Sequence, residues 1–177
     1  MILLAHPNIK ESQANKALVD AVSDMEGVAV FNLYELSQEI VFNIDEWSKI
    51  ISDASAVIYQ FPFYWMSAPS LLKKWQDEVF TFLSKTPAVA GKPLTVVTTT
   101  GSEYEAYRSG GRNRFTTDEL LRPYQVNAIH SGMSWQTPIV VYGMGTADAG
   151  KNIAEGANLY KQRVEMLIGN SNAGNNW

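Results

Sequence analysis

The sequence predicts an α/β fold in which a parallel sheet is covered by helices on both faces. Short apolar runs, each stopped by Gly, Pro or polar residues, alternate along the chain with segments whose apolar residues recur at helical spacing. Such runs are typical of buried parallel strands, and the alternation implies right-handed crossovers. The chain has 177 residues, of which 46% are apolar and 18% charged, so we expect one globular domain with a single large core.

The chain opens with a strand, a loop and a helix. Met1 to Ala5 is apolar and is stopped by His6 and Pro7, which predicts a buried strand. Residues 15–25 carry apolar residues at the spacing of a helix with one buried face. The loop between them lies at the carboxyl end of a strand, where open α/β sheets bind ligands and where a helix N-terminus attracts phosphate.

The later elements continue this alternation. Helix starts are indicated by Asp45 as a cap, by Ser67 followed by Pro69, and by Thr116 or Thr117 as a cap. The predicted strands are 28–32, 56–61, 93–100 and 133–142, and the predicted helices are 45–52, 69–83, 116–127 and 153–167. These elements favour a three-layer flavodoxin-like sandwich whose five-stranded parallel sheet has the order 2-1-3-4-5. We therefore expect one flavodoxin-like domain at 1–168 and a polar tail at 169–177.

Composition excludes several classes of function. The net charge is −4 and no Lys/Arg block occurs, which argues against a nucleic-acid or anionic-membrane partner. The chain has no cysteine, which removes disulfides, thiol chemistry and cysteine metal sites. Without a basic leader or an apolar run near membrane-spanning length, a cytoplasmic protein is expected.

Three loops should meet at one edge of the predicted sheet, because they follow strands 1, 3 and 4. They are residues 6–15, 61–69 and 99–102, the last running on to Gly110, Gly111 and Arg112. Ser12 and Asn15 offer hydroxyl and amide donors suited to a phosphate, and His6 can add another donor. Gly101 lets the backbone approach a planar ring.

The aromatic loop adds flat apolar surface through Phe63, Tyr64 and Trp65. Together the three loops predict a site for a phosphorylated, planar ring system, which describes a flavin nucleotide. Plainer interpretations stay open: Ser12 can be a helix cap, and the aromatic loop can be a satellite core. No G-x-G-x-x-G or Walker motif is present, so a Rossmann dinucleotide or a nucleoside triphosphate lacks its signature.

At these residues the chain resembles the flavodoxin-like NAD(P)H:quinone reductases. Within them it is most similar to the small bacterial flavoproteins that accompany glutathione-regulated potassium efflux systems. The resemblance spans about residues 1–168 and rests on the following motifs: A-H-P at 5–7, S-x-A-N-K at 12–16, Q-x-P-x-x-W at 60–65, S-x-P-x-L-L-K-x-W at 67–75, D-x-V-F at 77–80, T-T-G at 99–101 and Y-K-Q-R at 160–163.

The resemblance implies a flavin site and a reaction. The implied flavin contacts are His6, Ser12, Gln13, Ala14, Asn15, Phe63, Tyr64, Trp65, Met66, Thr99, Thr100, Gly101 and Ser102. It implies ping-pong hydride transfer from NADH or NADPH through a bound flavin, FMN in preference to FAD, to a quinone-like acceptor. Tyr107 is the implied catalytic residue on the acceptor side, and Arg112 is a second candidate.

Two features depart from the family. Arg112 stands where family quinone reductases carry a His, and an Arg can stabilise an anion but cannot exchange a proton near neutral pH. The connection 81–91 is short and lacks the aromatic residues that wall the ring in relatives, so Phe80, Phe82 or a partner subunit must substitute, or the pocket is more open. Surface or solvent-exposed roles for Tyr107 and Arg112 therefore stay open.

The resemblance also implies partners. The family site is completed across a two-fold homodimer, for which the sequence offers Trp47, Phe115, Tyr124 and Trp135 as interface aromatics. An alternative role is a weakly catalytic or non-catalytic regulatory subunit of a membrane potassium/proton antiporter. In that role the chain lies at the inner face of the membrane through its protein partner.

Overall fold

The computed structural model describes residues 1–36 and 41–172, which form a parallel sheet between two layers of helices. The strands are β1 (Ile2–Leu4), β2 (Val30–Asn32), β3 (Val57–Pro62), β4 (Pro93–Thr99), β5 (Ser134–Trp135) and β6 (Ile139–Val141). Their order is β2-β1-β3-β4-β5, with β6 also pairing with β4, and every pairing is parallel. The predicted fold class and strand order are confirmed.

The sequence predicts one strand at the fifth position of the sheet, but the structure has two. These are β5 and β6, which pair with successive parts of β4. Pro138 lies in the interruption and has no N–H to give to the strand ladder. In the interruption, the carbonyl of Thr137 accepts from the side chains of Thr95 (3.1 Å) and Arg163 (2.7 Å).

The helices follow the predicted order, with shifted bounds. They are α1 (Ala14–Asp20), α2 (Leu33–Leu36), α3 (Ile44–Asp53), α4 (Ser70–Trp75), α5 (Thr81–Leu83), α6 (Thr117–Leu120), α7 (Arg122–His130) and α8 (Ala149–Asn172). A π-helical turn, Gln76–Phe80, joins α4 to α5. α1 ends before the predicted Met25, and α2 was not predicted. α8 runs beyond the predicted residue 167, so the expected boundary at 168 falls within a helix. Residues 173–177 of the expected tail lie outside the described residues.

Three helix starts test the capping predictions. The predicted cap at Ser67 is wrong, because the N-cap of α4 is Pro69, whose side chain makes no capping hydrogen bond. Asn43, not Asp45, caps α3, because the Asn43 side chain accepts from the N–H groups of Asp45 (3.0 Å) and Glu46 (3.2 Å). Thr116 caps α6 in a capping box with Glu119, as the sequence predicted. The predicted helix 116–127 is broken at Leu121, one residue before α7 begins, and Pro123 lies in the first turn of α7.

The sheet separates two apolar cores. Alternate residues of a strand face opposite sides, so Leu3 and Tyr59 enter the core beneath α3, α4 and α7, while Ile2 and Ile58 enter the core beneath α1 and α8. α8 lies so close to β6 that a Cβ at Gly156 would lie 2.4 Å from Val141 Cγ2. This helix is therefore fixed against the outer edge of the sheet.

Two of the four aromatic residues expected at a dimer interface belong to the core instead. Trp47 and Tyr124 are buried, and their rings pack against Trp75 and Tyr59 respectively. Trp135 is partly buried against the same core, while Phe115 is exposed. Within the described residues, no helix combines the length and apolarity needed to cross a membrane.

Candidate active site

The loops that follow β1, β3 and β4 lie side by side, as the topology predicted. β3 pairs with both β1 and β4, so the carboxyl ends of the three strands are adjacent. Backbone hydrogen bonds continue these pairings into the loops: Ala5 N–H donates to Gln60 O (2.9 Å), and Phe63 N–H donates to Thr99 O (2.9 Å). We call these three loops, residues 6–15, 61–69 and 99–102, the loop edge.

The first loop ends in the first turn of α1. Ser12 Oγ accepts from Asn15 N–H at 3.1 Å, so Ser12 stabilises the start of α1, which agrees with the alternative interpretation of Ser12 as a helix cap. Gln13 is the N-cap residue and Ala14 is the first helical residue. The first N–H groups of a helix have no partner within the helix, so this turn presents donors at the loop edge.

Asn15 is the polar residue that joins the first loop to the third. It is only 1% exposed, and its Nδ2 donates to Thr99 Oγ1 at 2.9 Å. Its backbone carbonyl accepts from Gln60 Nε2 at 2.8 Å, and Gln60 is completely buried. The Gln60–Asn15–Thr99 contacts, which we call the amide cross-link, therefore tie the ends of β3 and β4 to the first turn of α1.

Two oxygens of the amide cross-link are buried without a hydrogen-bond partner in the described structure, namely Asn15 Oδ1 and Gln60 Oε1. Buried acceptors without a donor are uncommon in folded proteins, and each calls for an explanation such as a bound ligand or water. Gln60 was absent from the predicted site residues. Its signal was a polar residue within the apolar strand 56–61.

His6 is buried directly after β1. Its Nδ1 accepts from Asn8 N–H at 3.1 Å, so Nδ1 is occupied within its own loop and the ring's proton is assigned to Nε2. Burial lowers the pKa of His6 from its ordinary value, which keeps the ring neutral near pH 7. His6 can therefore offer a neutral Nε2–H donor.

The aromatic loop presents its side chains to solvent instead of packing them as a satellite core. Trp65 is 97% exposed, and Tyr64 and Met66 are also exposed, whereas Phe63 is partly buried against the core. Trp65 and Met66 have φ of 46° and 63°, a left-handed conformation that side chains other than glycine rarely adopt. The reciprocal backbone pairing of Tyr64 with Ser67 holds this turn.

Backbone strain of this kind concentrates at functional sites, where the surrounding structure enforces it. Here the Tyr64–Ser67 pairing closes the turn around Trp65 and Met66, and Tyr124 anchors the following residue, because its hydroxyl accepts from Ala68 N–H at 3.1 Å. The aromatic loop is therefore a fixed, apolar shelf at the loop edge.

The third loop is held from behind by the segment after β6. Met144 N–H donates to Thr100 O, and Gly145 N–H donates to Gly101 O, both at 2.9 Å. Thr100 is buried, and its hydroxyl donates to Ser102 O at 2.8 Å. A Cβ at Gly101 would meet nothing within 4 Å, so the space beside this glycine is open. A planar ring can approach the backbone here.

The structure places Tyr107 and Arg112 differently. Tyr107 is only 5% exposed, with its ring 6.2 Å from that of Phe63 and 5.9 Å from that of Tyr142. Arg112 is exposed, and its Nη2 donates to Ser102 Oγ at 2.5 Å. Tyr107 is thus an internal wall beside the aromatic loop, while Arg112 brings a positive charge to the third loop.

Phe80 and Phe82, the expected substitutes for the missing aromatic wall, lie in different environments. Phe80 is buried, stacked on Trp75 with ring centroids 6.1 Å apart, and so contributes to the core. Phe82 is exposed. A groove of about 770 Å³ lies beside Tyr107, which is the one predicted site residue in its lining.

A parallel sheet with this strand order, and with a polar and aromatic site at the carboxyl ends of its central strands, defines a flavodoxin-like protein. Residues 1–164 match the family described as "Flavodoxin-like fold", and the chain belongs to that family. The family that the sequence motifs indicated is therefore confirmed.

Named relatives refine this placement. The chain is 34% identical over 171 residues to an uncharacterized NAD(P)H oxidoreductase, YdeQ, of Bacillus subtilis (strain 168), covering 94% of this chain and 86% of the relative. It is 36% identical over 146 residues to the glutathione-regulated potassium-efflux system ancillary protein KefG of Serratia proteamaculans (strain 568), covering 80% of each.

A solved structure is also similar. The general stress protein 14 of Treponema denticola, in complex with FMN, superposes with a TM-score of 0.85 at 29% identity. The match covers 94% of this chain and 97% of that chain.

Proposed function

We propose that this chain is an NAD(P)H oxidoreductase that binds FMN at the loop edge and passes a hydride through it to a quinone or a similar planar acceptor. The relative named as an NAD(P)H oxidoreductase and the FMN complex of general stress protein 14 support the class of reaction and the cofactor. The observation that carries the proposal is the convergence of three loops at the carboxyl ends of β1, β3 and β4, which the amide cross-link holds together.

The residues at the loop edge fit FMN. Residues 12–15 hold the phosphate: the N–H groups of Gln13 and Ala14 and the hydroxyl of Ser12 donate to it, while Asn15, whose own N–H donates to Ser12 Oγ, holds the turn in place. His6 adds a neutral donor from the same loop.

The ring end fits as well. Phe63, Tyr64, Trp65 and Met66 supply the apolar shelf, and Thr99, Thr100, Gly101 and Ser102 supply backbone groups beside open space. When bound, FMN supplies the hydride chemistry, while the chain fixes its position and its electrostatic surroundings. The charge of Arg112, anchored at Ser102, favours negative charge at the ring end.

Tyr107 has the acceptor-side role in this proposal. Its ring lies between Phe63 and Tyr142, so it closes one side of the loop edge against water. A phenol can donate a hydrogen bond to an acceptor oxygen, and Arg112 can stabilise an anion there without exchanging a proton near neutral pH.

The test is an anaerobic titration of the FMN-loaded protein with NADH and NADPH, followed by addition of a soluble quinone. We expect either nucleotide to bleach the flavin absorbance near 450 nm, and the quinone to restore it without nucleotide. Protein that binds neither FMN nor FAD would refute the cofactor assignment. FMN that binds but is not bleached would refute the reductase.

We propose further that the chain forms a homodimer that covers the aromatic shelf. Trp65, Phe82 and Phe115 are large aromatic side chains that stay exposed in the single chain, and aromatic side chains are enriched at protein interfaces. Light scattering after size exclusion should give the mass of a dimer. Trp65→Ser should shift the protein toward the monomer, whereas Val126→Ser, at an exposed apolar position on α7, should not.

A second candidate function is that of a regulatory subunit for a potassium efflux antiporter, and the similarity to KefG favours it. The chain is then a cytoplasmic protein held at the inner face of the membrane by its partner. Co-purification with an antiporter encoded in the same genome would support this function. Rapid bleaching and quinone turnover without any antiporter would support the free-standing reductase.

A further inference from the structure

The groove of about 770 Å³ beside Tyr107 lies between the segment after β4, the outer strand β6 and helix α8. Three tyrosine rings line it, namely Tyr104, Tyr107 and Tyr142, together with apolar side chains that include Leu159 and Met166. Its volume falls within the range of about 300–1,000 Å³ that small-molecule sites occupy, and it exceeds what one aromatic ring fills.

Two arginines line the same groove, Arg108 and Arg163, and neither forms a salt bridge within residues 1–36 and 41–172. Arg108 Nη1 donates to Tyr104 OH at 3.2 Å, and its guanidinium lies 5.2 Å from the centre of that ring. Arg163 Nη1 donates to Thr137 O at 2.7 Å. A guanidinium has five N–H donors, so most of these donors remain available for an anion.

Asp118 is the one carboxylate in the lining of this groove. It is exposed. Burial raises the pKa of the neighbouring Tyr142, and the charge of Asp118 adds a smaller effect in the same direction. Two cations against one anion give the groove a positive balance on a chain whose net charge is −4. The lining therefore suits a ligand that carries an aromatic group, negative charge and hydroxyl groups.

The groove adjoins the proposed flavin site. Tyr107 lines the groove, while its ring lies 6.2 Å from that of Phe63 in the aromatic loop. One aromatic side chain thus separates the two spaces. One ligand that occupies both spaces therefore has to cross at Tyr107.

We propose that this groove binds the adenosine diphosphate part of the nicotinamide co-substrate. Arg108 and Arg163 contact the phosphates, the tyrosine rings contact the adenine, and Asp118 accepts from a ribose hydroxyl. The assignment rests on the proposed NAD(P)H-dependent function and adds the part of the chain that selects a dinucleotide over a free nicotinamide.

The first test measures the binding of ADP, by calorimetry, to protein prepared without flavin. We expect a dissociation constant below about 1 mM for the wild-type chain, weakened about tenfold or more in Arg108→Gln and Arg163→Gln. Arg122→Gln, at an exposed arginine on α7 outside the groove, is the matched control and should bind as the wild type does. Adenosine, which lacks the phosphates, should bind at least tenfold more weakly than ADP.

The second test separates binding from chemistry. In Arg108→Gln the KM for NADH or NADPH should rise about tenfold while kcat stays unchanged, because the lost contact lies away from the reacting atoms. Oxidation of N-benzyl-1,4-dihydronicotinamide, which has no adenosine part, should be unaffected. Arg108 is exposed, so this variant gives a result even where Arg163→Gln, which loses a bond to Thr137, fails to fold.

The outcomes distinguish this inference from the proposed function. Absence of ADP binding in the wild type, equal binding by all variants, or equal loss with the short dihydronicotinamide would overturn the groove assignment. ADP binding that depends on the arginines, in a protein whose flavin neither nucleotide bleaches, would support the groove as an anion site and refute the reductase.

Discussion

The two ends of the candidate site are built in different ways. At the phosphate end, the buried side-chain amides of Asn15 and Gln60 connect three separate elements of the fold, and they hold two acceptors without donors. At the ring end, residues 102–115 are held by backbone hydrogen bonds within the segment, by Gly143 N–H donating to Ser102 O at 2.8 Å, and by the burial of Tyr107. The phosphate end is therefore held by buried side chains, while the ring end is held mainly by backbone contacts. Variants at each end should show which contacts stabilise the fold and which affect flavin binding or turnover.

The largest expected effect comes from packing at the ring end. A Cβ at Gly111 would lie 2.2 Å from Glu105 O and 2.6 Å from Ala106 O, and these backbone atoms cannot rotate away. Gly111→Ala should lower the free energy of unfolding by about 3 kcal/mol and displace Tyr107. Urea unfolding and the near-ultraviolet spectrum of the tyrosines measure both effects.

Gly110→Ala is the control for that substitution, because a Cβ at Gly110 meets nothing within 4 Å. Its free energy of unfolding should change by less than about 0.5 kcal/mol. Equal stability of the two variants would contradict the claim that the backbone of residues 105–111 positions the ring end.

The next effect tests the amide cross-link. Thr99→Val removes the acceptor of Asn15 Nδ2 and leaves a buried donor unpaired, which should cost about 2 kcal/mol of stability. The loosened first turn of α1 should then weaken binding of FMN about tenfold, while riboflavin, which lacks the phosphate, should bind nearly as before. Flavin fluorescence titrations of both ligands give this ratio.

Thr95→Val is matched in chemistry and burial on the same strand. Thr95 donates to Thr137 O, and Thr137 is exposed, so water can replace the lost partner. The stability cost should stay near about 0.5–1 kcal/mol, with both flavins binding unchanged. A Thr99 variant as stable as the Thr95 variant, or one that loses both flavins equally, would show that the cross-link does not position the phosphate end.

A smaller effect is expected at Arg112. Arg112→Gln breaks the contact with Ser102 Oγ but leaves no buried group unpaired, so stability should change by less than about 0.5 kcal/mol. The turnover of the quinone half-reaction should fall about fivefold, because an exposed charge contributes about 1 kcal/mol. Arg114→Gln, at another exposed arginine of the same segment, should keep the wild-type rate. Similar rates for all three proteins would remove Arg112 from the site.

The same contrast explains what the sequence could predict. The strands and their order were predictable, because apolar runs such as 56–61 and 93–100 are local patterns with one buried solution. The convergence of the three loops followed from that order. The split of the last strand was not predicted, although Pro138 stands inside the predicted strand 133–142 and a proline removes a donor from the strand ladder.

Roles that depend on tertiary contacts were harder to predict. Gln60 looked like an isolated polar residue in a strand, and its partner Asn15 lies 45 positions away in the chain. Trp47 and Tyr124 were expected at an interface, because composition cannot distinguish a large aromatic core from an aromatic surface. Which side chain completes a buried network is decided by packing and not by local pattern.

The smallest expected effect concerns His6 and the pH dependence of stability at the phosphate end. Burial lowers the folded-state pKa of His6 below its unfolded value of about 6.5, so the unfolded chain binds more protons as the pH falls through this region. In the flavin-free protein, the contribution of His6 to the free energy of unfolding should therefore be at its maximum above about pH 6.5. It should decrease as the pH falls toward the lowered pKa. His6→Gln should lose this component. Subtracting the two urea-unfolding profiles isolates His6, because the carboxylates and His130 are common to both proteins. A difference that is flat, or that increases toward low pH, would show that His6 is not held neutral, and the neutral Nε2–H donor would be removed from the phosphate end.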